Sequence, residues 1–178
     1  MRRSVIAATW LALCHVLCAQ VPSRFPIGQK APNFQISTGE ADPFRLSDHR
    51  GQVVLINFWA TWCAPCVAEM NDLMKMNTEL QPKGLVLVGV SFDEKEDALQ
   101  RFSTKHALNF PVGLINPAFN HDYGSLLQYP GNQLVGSDKM IKPTLPSFVL
   151  IDKRGRLHWV HIGSLPISEL ESEVRQAL

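Results

Sequence analysis

Two cysteines three residues apart, Cys63 and Cys66 in the run Trp59-Ala60-Thr61-Trp62-Cys63-Ala64-Pro65-Cys66, constrain this chain more than any other feature. They join a continuously apolar stretch, residues 53–56, to a helical pattern that begins at or just after Cys63. Thiols at that spacing at a helix start share one face and can close a small disulfide ring. The first of them sits where backbone N–H groups and the helix dipole favour an anion. Such a placement lowers a thiol pKa from its free value of about 8.5 and makes the thiolate a nucleophile at neutral pH. Pro65 suits the first turn, where its missing N–H goes unneeded. A four-ligand zinc site would need a second Cys or His pair at ligand spacing, and no cysteine follows Cys66. A structural disulfide usually closes a longer loop. The pattern therefore points to thiol–disulfide exchange, with Cys63 as the attacking thiol and Cys66, one turn in, as the resolving one.

The other two of the four cysteines, Cys14 and Cys18, lie in an N-terminal segment of a different kind. A basic lead, Met1-Arg2-Arg3, precedes a mostly apolar run over residues 5–17, and Ala19 offers a small residue for cleavage. That is the layout of a secretory signal peptide over residues 1–19. The run is shorter than the roughly 20 residues a comfortable membrane span needs. An uncleaved N-terminal anchor is the alternative. Residues 20–27 read as a flexible lead-in, and residues 28–178 as one domain large enough for a real core. An exported chain would keep only Cys63 and Cys66, in a compartment where disulfides are made and broken. A net charge of +1 gives no electrostatic case for nucleic acid as a partner.

The segment Phe58-Trp59-Ala60-Thr61-Trp62-Cys63-Ala64-Pro65-Cys66 resembles the active-site segment of the thioredoxin superfamily, in its TlpA/ResA-like branch of bacterial exported thiol–disulfide oxidoreductases. The resemblance runs from about Gly28 to the C-terminus. It implies a thioredoxin-like α/β fold: a mixed central sheet flanked by helices, an N-terminal β-hairpin, and an insertion before a cis-proline loop. It implies a periplasmic or otherwise extracytoplasmic protein-disulfide reductase, with apocytochrome c maturation as the leading process. The implied partners are a protein substrate with a disulfide and a membrane thiol-reducing electron donor. A monomer without cofactor or metal is expected.

The residues carry further expectations. Phe34-Gln35-Ile36-Ser37 and Phe44-Arg45-Leu46 alternate as a hairpin does, and residues 53–59 and 85–91 read as buried strands. Asp93 with Glu96, and Ser168 with Glu171, form capping-box patterns for two helices. Residues 147–151 and 157–162 read as an antiparallel pair around a turn. Asn57 stands where thioredoxin itself carries a buried Asp and cannot take a proton from Cys66. Glu69 lies three residues after Cys66 on the same helical face, and TlpA/ResA-like proteins carry a Glu there. It is the candidate proton acceptor, against the alternative of an ordinary solvated Glu. Leu145-Pro146 resembles the cis-proline loop that faces the dithiol, with Leu145 pairing an extended substrate segment. Trp62 is expected as a partly exposed platform for substrate, and Trp59 as packing behind it. The six histidines lie at no ligand spacing to the cysteines.

Two other classes of function compete. The opening over residues 28–34 and the hairpin also resemble peroxiredoxins, which use a lone attacking cysteine. A copper-delivering protein could use Cys63 and Cys66 as soft ligands, although no third ligand stands nearby.

The stretch over residues 113–142 is rich in turn residues and carries Phe119, Tyr123 and Tyr129 among Asn, Gly and Ser. It reads either as an adaptable recognition surface or as an insertion that packs its aromatics on the domain. On the first reading, shortening the chain between Tyr129 and Lys142 preserves the reduction of a small disulfide and lowers turnover of the protein substrate. Parallel assays on both substrates check it, and equal loss on both would place the loop in support of the active site.

Overall fold

The structure, a computed structural model, describes residues 27–39, 42–124 and 144–178. The expectations placed on residues 1–26, on Tyr129 and on the later part of the insertion lie outside the described residues.

A short antiparallel hairpin, β1 (Gln35–Ile36) and β2 (Phe44–Arg45), precedes the main sheet. Then come β3 (Val53–Trp59), α1 (Ala64–Leu80), β4 (Leu85–Ser91), α2 (Glu96–His106) and β5 (Val112–Leu114). The chain closes with α3 (Pro117–Gly124), β6 (Ser147–Ile151), β7 (Leu157–Ile162) and α4 (Ile167–Ala177). The five-stranded sheet has the order β5-β4-β3-β6-β7. Strands β3, β4 and β5 run parallel, and β6 and β7 add antiparallel on the other side. This is the mixed sheet that the resemblance implies.

Strand β3 is central because every one of its residues is apolar or buried. Side chains alternate across it with period two. Val53, Leu55 and Trp59 join one core with α1, α2 and α4, while Val54, Ile56 and Phe58 join a second core under the hairpin and α3. On α1 the buried residues Cys66, Met70, Leu73, Asn77 and Leu80 recur at helical spacing. Met76 is buried, whereas Met74 only packs against the edge of the core. Gly84 ends the following 3-10 turn with φ of 103°, a left-handed conformation that a side chain would resist. Gly89 on β4 serves another need, since a Cβ there would meet Trp59 Nε1 and Val112 Cγ1 at 2.9 Å.

Both capping boxes are corrected. Helix α2 starts at Glu96 after Lys95, and α4 starts at Ile167 after Pro166, neither with a side-chain cap. Asp93 is engaged elsewhere. The loop reading of residues 113–142 is also corrected in its first part, which holds β5 and α3. Phe119 and Tyr123 are fully buried, so neither belongs to a recognition surface. Spaced four apart on α3, they stack on one another and meet Phe34 edge-on. They close the second core over the N-terminal segment.

Tyr123 donates its hydroxyl to the Pro32 carbonyl at 2.7 Å. Burial, with help from Asp122, pushes its ionisation far above the ordinary phenol range, so the donor is retained at any working pH. Tyr123→Phe leaves that carbonyl without its partner. The expected cost is about 1–2 kcal/mol, read as a lower urea midpoint at unchanged m-value.

Candidate active site

The site forms at one edge of the sheet, where β3 and β4 end. Parallel strands deliver loops to the same edge, and β6 starts there because it runs the other way. Ser147 at the start of β6 pairs with Ile162 at the end of β7, which brings residues 163–165 to the same edge.

Cys63 is the N-cap of α1, with extended backbone (φ −84°, ψ 98°). Its Sγ accepts from the Cys66 N–H at 3.3 Å, one of the donors a helix leaves without a partner in its first turn. Pro65 occupies the first turn, as expected. Cys63 and Cys66 are joined by a disulfide across a Cα separation of 5.3 Å. The structure is therefore the oxidised form. Cys63 is 6% exposed and Cys66 2%, so both residues are buried with the ring closed.

Trp62 is 67% exposed beside the ring, while Trp59 is fully buried and packs on Phe102 with ring centroids 5.2 Å apart. The dithiol therefore has one tryptophan in the wall behind it and one facing solvent. Asn57 is buried with Oδ1 unpaired among the described residues, as is Trp59 Nε1. The peptide bond Leu145-Pro146 is cis. Leu145 packs against the core that contains both cysteines, and the Pro146 carbonyl accepts from the Gly163 N–H at 2.8 Å.

Glu69 is half-buried on α1. Burial holds its carboxyl above the ordinary carboxylate value, while the Ser164 hydroxyl and the charge on His161 pull it down by less. His161 and Ser164 were not legible as neighbours of Glu69. They come from the end of β7, about ninety residues on, and only the β6–β7 register brings them there. Asp93 is the other residue the sequence reading misplaced. It is 8% exposed and accepts from the Thr61 N–H at 3.0 Å, the Thr61 hydroxyl at 2.6 Å and the Ser91 hydroxyl at 2.6 Å. The one cue available was Ser91-x-Asp93 at a strand end, a pair able to bond locally. Among the described residues no three His, Cys, Asp or Glu side chains gather to hold a metal ion.

Comparison with known proteins places these features in a group. A family model described as the AhpC/TSA family matches residues 27–160. The thioredoxin-like protein YneN of Bacillus subtilis is 30% identical over 150 residues, 83% of this chain and 78% of that one. The thiol-disulfide oxidoreductase ResA of Bacillus cereus is 29% identical over 153 residues, 86% of this chain and 79% of that one. Among solved structures, a thiol:disulfide interchange protein of the thioredoxin family from Chlorobium tepidum superposes with a TM-score of 0.70 at 22% identity. That match covers 84% of this chain and 95% of the other, and it shows a shared thioredoxin fold.

The Glu69 environment sets a pH signature. The folded carboxyl holds its proton more tightly than the unfolded one, so its ionisation costs stability as pH rises. The loss begins near the ordinary value of 4.5 and is complete above the raised one. The oxidised Glu69→Gln variant should therefore gain stability relative to wild type as pH rises through that window, then hold a constant difference. Urea titrations from pH 4 to pH 8 check it, and a gap independent of pH would show that Glu69 ionises without penalty.

Proposed function

The chain belongs to the AhpC/TSA family and is a thiol–disulfide oxidoreductase, and on that premise we propose that it reduces disulfides in another protein outside the cytoplasm. The observation that carries the reading is Cys63 at the N-cap of a helix whose own N–H already points at its sulfur. In the reduced protein the Cys63 thiolate attacks a substrate disulfide, forming a mixed disulfide and releasing one substrate thiolate. Cys66 then attacks Cys63 Sγ, the second substrate thiolate leaves, and the ring recorded in the structure is closed. Two electrons have passed to the substrate. A membrane thiol donor is the proposed source of the two electrons that reopen the ring.

Within this reading Cys63 is the nucleophile and Cys66 the resolving thiol. Glu69 takes the proton of Cys66, for which its raised affinity suits it. Trp62 gives the substrate an apolar platform, its indole being the most exposed large apolar side chain among the described residues. Leu145, ahead of the cis Pro146, offers its backbone to an extended substrate segment. Export rests on the basic and apolar layout of residues 1–19. Apocytochrome c, as a protein that must be reduced before haem attachment, is the proposed substrate process, and a monomer the proposed state.

A Cys66→Ala variant tests the reading. Held as the mixed disulfide on Cys63, it should trap an extracytoplasmic protein substrate that mass spectrometry identifies. In the reduced wild type, limiting alkylating reagent at neutral pH should modify Cys63 first. Modification of Cys66 first would reverse the two roles, and consumption of hydrogen peroxide faster than any disulfide would favour a peroxidase.

A further inference from the structure

The buried carboxylate of Asp93 stands outside the chemistry described so far, and its bonding is unusual for a residue at a strand end. Neither of its oxygens serves a helix, since α2 begins three residues later after an uncapped Lys95. Oδ2 receives the Thr61 N–H and the Ser91 hydroxyl, and Oδ1 receives the Thr61 hydroxyl. The Asp93 N–H returns a bond to Ser91 Oγ at 3.0 Å, which fixes the carboxylate's own orientation. One residue earlier, the Phe92 N–H donates to the Trp59 carbonyl at 2.9 Å. Residues 59–61 are thus tied to residues 92 and 93 beyond the last β3–β4 pair, Trp59 with Ser91.

Thr61 stands two residues before Cys63, and the Cys63 N–H donates to the Ala60 carbonyl at 3.1 Å. The turn that carries Cys63 onto the helix N-terminus therefore has one side anchored just beyond β4, by the Phe92–Trp59 backbone bond and by the Asp93 carboxylate on Thr61. We infer that Asp93 is a positioning residue of the dithiol, holding Thr61 so that the Cys63 sulfur stays on the free N–H groups of α1. The inference rests on the oxidoreductase reading of the site.

The anchor matters more in one redox state than in the other. In the oxidised protein the ring itself ties Cys63 to Cys66. In the reduced protein that bond is gone, and only the turn keeps the thiolate at the helix start. Loosening the turn therefore costs the reduced form more. A dithiol whose reduced form is destabilised becomes the stronger reductant. Glu69 on α1 neighbours His161 of β7 and Ser164 just after it, across β3 from β4 in the sheet order, and none of the three is a hydrogen-bond partner of Asp93.

Three single variants and one double test this: Asp93→Ala, Asp93→Asn, Thr61→Val, and Thr61→Val combined with Asp93→Ala. Each is equilibrated with glutathione buffers, its Cys63 alkylation rate is followed against pH, and its thermal midpoint is measured in the oxidised form. Asp93→Ala should shift the equilibrium about tenfold toward the disulfide, or about 30 mV, and move the alkylation midpoint to higher pH. Thr61→Val, which removes one of the two Thr61 bonds, should shift the equilibrium about threefold. The double variant should match Asp93→Ala alone, because both changes act through one connection. Asp93→Asn, which keeps an acceptor for the Thr61 N–H, should stay within threefold of wild type.

A lowered thermal midpoint with an unchanged equilibrium and alkylation profile would make Asp93 a fold clamp only, and the inference would fail. It would fail equally if Asp93→Asn matched Asp93→Ala while Thr61→Val had no effect, since the charge would then act through space. Should Asp93→Ala not fold, Thr61→Val and Asp93→Asn still decide between these outcomes. Reduction of insulin by the wild type, run alongside, tests the oxidoreductase reading separately.

Discussion

The hydrogen bond from the Cys66 N–H to Cys63 Sγ depends on almost everything else in the domain being where it is. It exists because Cys63 is the last non-helical residue before α1, and α1 begins there because β3 ends four residues earlier. Strand β3 can end abruptly at Trp59 because it is held on both sides, by β4 in parallel and β6 in antiparallel register. A helix start so fixed has free N–H groups at a constant position. Sulfur placed on them meets a field that favours its anion, with no added cation required.

The two cores divide the labour of supporting that start. The face with α1, α2 and α4 holds the cysteines, Trp59 and the helices whose ends surround the site. The opposite face is closed by the hairpin, α3 and the stacked rings of Phe34, Phe119 and Tyr123. Cys63, Cys66 and Glu69, the residues proposed for the chemistry, all lie away from that second face, yet without it β3 and β6 would expose one whole side to water. The segment before β1 is drawn in as well, with Gly28 and Ala31 donating to the Leu157 and Gly155 carbonyls. The residues that opened the sequence resemblance are therefore structural closure for the sheet that carries the dithiol.

What the sequence disclosed follows from the range of the interactions involved. The strand before Cys63, the helix after it and the placement of Pro65 are set by neighbours within a few residues, and all were legible. Trp59 inside and Trp62 outside followed from the apolar run and its abrupt end. The capping boxes failed because Asp93 has better donors than α2 offers, and those donors lie 32 residues upstream. The sequence leaves Phe119 and Tyr123 open between a recognition surface and packing on the domain, because their neighbours are polar. The cavity they fill is made by Phe34 and Phe58, whose positions only the fold supplies. Ser164 and His161 beside Glu69 were hidden for the same reason.

Two carboxylates consequently reach the dithiol region from opposite sides, and their surroundings suit them to different tasks. Asp93 has both oxygens occupied by donors from Thr61 and Ser91, bonds that hold the turn in shape. Its chemistry is used up in geometry. Glu69 has the Ser164 hydroxyl and the more distant charge of His161, which together offset only part of its burial. It retains a lone pair and a raised affinity for a proton, the two properties that an acceptor for a resolving thiol needs. A fold that offered only one of these carboxylates would have to choose between holding Cys63 in place and moving the proton of Cys66. On the reading proposed above, the end of β4 does the first, and Glu69 in the second turn of α1 does the other.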